Sequence, residues 1–206
     1  MRNKDPMLMS HDEFEVRCWN YYITLEDKFI HSTHYVTLSE DNFETYSLDF
    51  MEQLHNICIE IESVFKIITG FYNQNDANIA NYAKKTLELM TDIVNYEVNV
   101  INEHNIKFKP FYSIPFDTDK PLFKWWRAFT DIKHNRIEKQ DCANLYNVLS
   151  ALAALFILDM TYLKKSSESE KRDSPQKSSC LFTTKDIKWQ AVGIDTTYFK
   201  IQRVIN

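Results

Sequence analysis

Glycine occurs only twice and proline five times in 206 residues. That scarcity removes the turn punctuation on which β-rich folds depend, and with it every glycine-loop cradle for phosphate. Cysteine is present at Cys18, Cys58, Cys142 and Cys180 with no C-x-x-C pair. Neither a zinc ribbon nor a disulfide framework is indicated, and a reducing cytoplasm is the expected location. The N-terminal "MRNKDPMLMSHDEFE" has no apolar core and no small-residue cleavage site, so no signal peptide is expected. The longest apolar run, "VLSALAALFIL" from Val148 to Leu158, is about half of the ~20 residues that cross a bilayer. It reads as a buried core helix, and no membrane partner is expected. A formal charge of -5, from 24 basic and 29 acidic residues, provides no global field toward nucleic acid, so any anion binding must be local.

Helical periodicity dominates what is present. A chain of this length forms one domain with a core of its own. The first helix is expected over about residues 12–34, with Asp12 helping to cap it. After the polar connector "YVTLSEDNFETYS", a second helix over about 47–71 carries Leu54, Ile57, Ile61, Val64, Phe65 and Ile68 at spacings of three and four, with Gly70 at its stop. A third is predicted over about 76–102, from Ala80, Ala83, Leu87, Met90, Val94, Val98 and Ile101. The stretch "KFKPFYSIPFDTDKP" holds three prolines and forms the main loop. A fourth helix follows Pro121, and a fifth, "CANLYNVLSALAALFILDMTYLKK", is apolar nearly all round and therefore central.

The expected fold is thus all-α: an up-and-down bundle of about five helices in residues 1–165. A polar linker over 166–179, "SSESEKRDSPQKSS", separates it from a short β-hairpin or extended arm over 180–206.

The fourth helix carries the stretch that asks for chemistry, "FKWWRAFTDIKHNR". At 100° per residue Arg127, Thr130, Asp131 and His134 share one arc, while Trp125, Ala128, Phe129 and Ile132 share the other. Lys133 and Arg136 add positive charge at the flank. Arg127 and His134 lie two turns apart, about 10 Å along the axis. An imidazole that exchanges protons near neutral pH can take a 2′-hydroxyl proton, and a guanidinium can hold phosphate oxygens as charge builds. The plainer reading is an exposed cationic end suited to the helix dipole, with Trp125 and Trp126 as core and rim packing.

Other groups carry less. His31 and His34 lie three apart without a carboxylate or thiol cluster to complete a metal site. Glu60 and Glu62 fall on opposite flanks of the second helix and read as solvated, with Glu60 able to orient a basic group at the fourth helix. No metal or other cofactor is implied.

The two-faced helix with arginine, six residues and histidine, preceded by long amphipathic helices and followed by an apolar one, resembles the HEPN superfamily. The wording "YVTLSEDNFETYS…EIESVFK" and "WWRAFTDIKHNR…ANLYNVLSALAALFIL" is similar to that of small bacterial proteins of this type. The resemblance covers about residues 12–165. It implies a helical bundle that dimerises so that paired motifs form one cleft, commonly a metal-independent endoribonuclease of toxin or phage-defence systems. Carried over, Arg127 matches the family's arginine and His134 its histidine as catalytic residues. Thr130, Asp131, Lys133 and Arg136 then stand as substrate contacts. RNA, a second copy of the chain and a protein partner such as an antitoxin are the implied partners. The aromatics of residues 108–126 are expected to offer exposed apolar surface for dimerisation. The alternative is an inactive HEPN-like module that dimerises or docks a partner.

Overall fold

The computed structural model describes residues 9–70, 78–103, 105–112, 123–170 and 174–189. Five helices build the domain, and a small three-stranded sheet closes one side. Helix α1 is continuous through an α-helical turn at His11–Phe14, a π-turn at Glu15–Trp19 and a longer α-helical stretch at Asn20–Ser32. Its cap is Ser10, whose Oγ accepts from the Glu13 amide at 3.3 Å. Asp12, expected to help cap the start, sits in the first turn, where its charge suits the helix N-terminus.

Helix α2, Leu48–Thr69, follows the apolar stripe closely: Leu54, Ile57, Ile61, Val64, Phe65 and Ile68 are all buried. Ser47 caps it by accepting from the Phe50 amide at 3.0 Å, and Gly70 ends it at φ 72°. That left-handed conformation is the one glycine adopts without a Cβ penalty. Ser47→Ala should lower stability by about 1 kcal/mol, the ordinary cost of losing a serine cap. Urea unfolding with unchanged m-value is the measurement, and an unchanged midpoint would contradict the assignment.

Helix α3 is shorter than its periodicity predicts. It is capped by Asn78 and spans Ile79–Leu89, with the expected start at Asp76 outside the described residues. Met90, at φ -135° and ψ 62°, leaves helical geometry, and a 3-10 turn follows at Thr91–Asn95. Val98 and the residues after it, predicted as helix to Asn102, instead form strand β1, Val98–Val100. β2, Lys107–Phe108, and β3, Phe182–Thr183, pair with it on either side, both antiparallel, in the order β2-β1-β3. The β-branched Val98 and Val100 fit a pleated surface, with one pairing partner in the nearby β2 and the other, β3, from distant sequence.

Helix α4, Lys124–His134, packs on α5, Leu145–Glu170, and on α2. The central position expected of α5 holds: its residues from Val148 to Leu158 are buried on every side, and its packing against α2 is the most extensive in the molecule. By length and composition α5 could cross a membrane, and most of its apolar stretch is buried within the protein.

Residues 166–170, read as the start of a linker, continue α5. Ser166 donates its hydroxyl to the Tyr162 carbonyl at 3.0 Å, so the serines return their polar groups to the helix backbone rather than ending it. Residues 174–187 do not lead away from the bundle either. Trp19 Nε1 donates to the Lys177 carbonyl at 2.9 Å, and the Gln176 amide donates to Glu15 at 2.7 Å. Buried Glu26 accepts from the Tyr22 and Ser179 hydroxyls and from the Cys180 amide, the last at 2.7 Å. The segment is a strap held across α1, and its strand, within the tail expected to be a short hairpin or extended arm, pairs with β1. Residues 190–206 lie outside the described residues.

Candidate functional site

The local sequence explains how α4 is held. Phe123 stacks on Trp125 with centroids 4.9 Å apart and planes 3° from parallel, and Phe111 meets both rings edge-on. Trp125 also donates its indole N–H to the Pro110 carbonyl at 3.3 Å. Phe129 meets the His55 ring of α2 at 5.3 Å. Trp125 and Trp126 are only 2% and 7% exposed, so both are packing residues, as the plainer reading had it. This aromatic wedge fixes the rotation of α4 about its axis.

With that rotation set, Arg127 and His134 are exposed on the opposite side, Lys133 is exposed at the flank beside Phe129, and Arg136 is exposed in the turn that follows. Thr130 and Asp131 are half-buried. Arg127 and His134 thus share an outward face, and two of the other predicted residues are qualified in their roles. Thr130 donates its hydroxyl hydrogen to the Trp126 carbonyl at 2.9 Å, so it can offer a substrate only an acceptor. Lys133 lies with its amine 5.8 Å from the centroid of the Phe129 ring, and a cation held this way stays available to an anion.

Charge is distributed unevenly along this stretch. Lys124, Arg127, Lys133, Arg136 and Lys139 form no ion pair among the described residues. Elsewhere some cations are paired, as Arg17 with Glu13 at 3.2 Å, Lys28 with Glu52 at 2.6 Å and Lys66 with Glu62 at 2.7 Å, while Lys84, Lys109 and Lys185 form no ion pair among the described residues either. An acidic protein thus keeps several cations free of ion pairs on one helix and its following turn, interspersed with Asp131, Glu138 and Asp141, and these give it a local capacity for anions.

The expectation of exposed aromatics over 108–126 does not hold among the described residues. Phe111, Phe123, Trp125 and Trp126 are buried against one another, Phe108 is buried against Phe43 and Tyr146, and among the described aromatics there only Tyr112 is well exposed. Residues 113–122 lie outside the described residues. The apolar side chain that does stand out near the motif is Ile137, 81% exposed beside Arg136.

Glu60, read as solvated and able to orient a basic group at α4, sits elsewhere. It is half-buried on α2 near Asp159 of α5 and Cys18 of α1. Burial raises its carboxyl to about 7. Asp159 is 0% exposed, and neither of its carboxylate oxygens has a hydrogen-bond partner among the described residues. Burial, and then the charge of Glu60, push it well above the ordinary carboxylate range. The Cys18 thiol is pushed up by burial, and next by Asp159 and Glu60, so it is a neutral packing group and not a nucleophile. This acid cluster escaped the sequence reading. Its signal was one aspartate inside "ALAALFILDMTYL", at a position where every neighbour is core.

His31 and His34 meet edge-on at 5.2 Å between centroids on an exposed helix end. Among the described residues no group of three or more histidine, cysteine, aspartate or glutamate side chains is placed to hold a metal ion.

No family model, curated protein or solved structure matches the chain. The functional reading accordingly stands on the geometry of α4 and on the resemblance of its motif.

Proposed function

We propose that the protein is a metal-independent endoribonuclease of the HEPN type, acting in a toxin or phage-defence setting, with the outward face of α4 as its reactive surface. The observation that supports this best is the joint exposure of Arg127 and His134 among cations that form no ion pair among the described residues. A polyanion is the natural counterion for them. His134 takes the proton of a 2′-hydroxyl, the oxygen attacks the adjacent phosphorus, and the 5′-oxygen leaves with a proton. Arg127 stabilises the charge gathering on the non-bridging oxygens. The products are a 2′,3′-cyclic phosphate and a 5′-hydroxyl.

One copy holds the two residues about 10 Å apart along the axis, so the reading includes a homodimer in which facing motifs supply the second arginine and histidine. Two such cationic faces repel one another until a phosphate chain lies between them. Ile137, exposed beside Arg136, provides apolar contact at the edge of that cleft. RNA and matched DNA incubated with the protein in EDTA provide the test: RNA should be cut to 2′,3′-cyclic ends and DNA left intact. Cleavage that requires magnesium would contradict the mechanism.

The second reading is a binding module that docks an acidic protein partner, such as an antitoxin, on the same cations. Thr130's commitment to the helix backbone favours it, since that removes one donor from a catalytic cleft. Absence of cleavage on every RNA, with binding of acidic partners intact, would establish this alternative.

A further inference from the structure

A second imidazole stands beside α4. His55, exposed on α2, meets the Phe129 ring edge-on at 5.3 Å between centroids. Lys133, exposed on the flank of α4, holds its amine 5.8 Å from the centroid of that same ring. Because both distances run to one centroid, the amine and the imidazole come within reach of a single phosphate, whose oxygens can accept from both. Neither side chain forms a hydrogen bond or ion pair among the described residues. The carboxylates nearest His55 along α2 are engaged elsewhere: Glu52 pairs with Lys28 at 2.6 Å, and Asp49 accepts from the Ser32 hydroxyl at 3.1 Å and from the Gln53 amide at 2.6 Å. On α4, Asp131 lies about 160° around the helix from Lys133. The histidines of α1 are placed otherwise, His11 being 3% exposed and His31 and His34 meeting each other at the helix end.

We propose that His55 and Lys133 form a second phosphate subsite, which holds a phosphate flanking the scissile one on an RNA strand. The inference rests on the ribonuclease reading above and adds to it the course of the substrate: the strand runs from Arg127 and His134 over Lys133 to α2. Lys133, next to His134 in sequence and on the flank that carries Phe129, joins the two places. An imidazole offers an N–H donor in either protonation state, and the ammonium offers three. Both groups already rest on the Phe129 ring, so an anion that binds them costs less side-chain freedom than one held by two unsupported surface residues. Contacts to phosphate carry no base preference, so the subsite governs affinity for the strand and not its sequence.

Fluorescence-anisotropy titration of the full chain with a 2′-O-methyl RNA octamer tests the proposal, because this probe lacks the attacking hydroxyl and reports binding without turnover. His55→Ala and Lys133→Ala should each weaken binding about fivefold, and the double variant by clearly less than the product of the two, since both donate to one phosphate. Lys133→Ala should also reduce the slope of log K against log salt by about 0.7, the loss of one phosphate contact on a single strand. His55→Phe keeps an aromatic ring against Phe129 and lacks the donor, so it should bind as weakly as His55→Ala, whereas His55→Gln keeps an N–H and should regain most of the affinity. Arg127→Ala serves as the reference for the reactive face. Binding that falls with Arg127→Ala and is unchanged by His55→Ala would overturn the subsite and leave the ribonuclease reading standing, as would full affinity in His55→Phe or strictly multiplicative losses in the double variant. No binding of the octamer to the wild-type protein at low salt would overturn both.

Discussion

His134→Ala should lower RNA cleavage by about a hundredfold or more, and Arg127→Ala by a similar factor, with the fold intact in both. The size follows from the roles assigned: a general base contributes on the order of 10²–10⁴-fold, and one donor to a developing oxyanion about 10²–10³-fold. Stability should be little changed because both side chains are exposed and neither has a hydrogen-bond or ion-pair partner among the described residues. Arg127→Lys separates charge from geometry. It keeps the cation and loses the planar fork, so it should recover only part of the rate. Single-turnover rates on a defined RNA, with circular dichroism as the folding control, read all three variants. Equal rates for wild type and His134→Ala would remove the histidine from the mechanism.

The second large effect is on stability against pH. Between about pH 4.5 and about pH 7 the folded protein holds a proton on Glu60 that the unfolded chain has released, since burial raises that carboxyl from 4.5 to about 7. Asp159, buried and shifted in the same direction, adds to the effect. Cys18 and Tyr22 face Asp159 from α1, both pushed up by burial, and so remain neutral through this window. Where the unfolded state binds fewer protons than the folded one, stability falls as pH rises, by about 1.4 kcal/mol per pH unit for each such proton. The Glu60 contribution therefore begins to be lost as pH rises through about 4.5 and is fully lost above about 7. Glu60→Gln carries no titrating proton and should flatten the slope in that window. Asp159→Asn should likewise make the fall of stability with rising pH less steep. Thermal midpoints measured from pH 4.5 to 9 check both, and a Glu60→Gln profile parallel to wild type would contradict the account.

The parts of this architecture that sequence made legible are those set by local periodicity. α2 shows an unbroken stripe of apolar residues between a serine cap and a glycine stop, and on α4 the buried Trp125, Ala128, Phe129 and Ile132 and the exposed Arg127 and His134 fall on the sides that the helical spacing assigns them. The end of α3 was not legible in the same way. Val94, Val98 and Ile101 continue a helical spacing, but Val98 pairs with Phe108 ten residues on and Val100 with Phe182, a segment that no local pattern connects to it. The strap was hidden for a related reason. "SSESEKRDSPQKSS" is polar, and its fixed course depends on Glu15, Glu26 and Trp19, more than a hundred residues earlier in the chain. Asp159 was masked by its setting, because a single carboxyl in an apolar helix changes the pattern little while changing the energetics of burial greatly.

The central claim is that a 2′-hydroxyl, deprotonated at the exposed face of α4, is the nucleophile. An RNA carrying a single 2′-deoxy substitution at a mapped cleavage position, incubated with the wild-type protein in EDTA, tests it most directly. The account predicts that cleavage at that position disappears while cleavage at unmodified positions continues. Persistent cleavage at the deoxy position would contradict it.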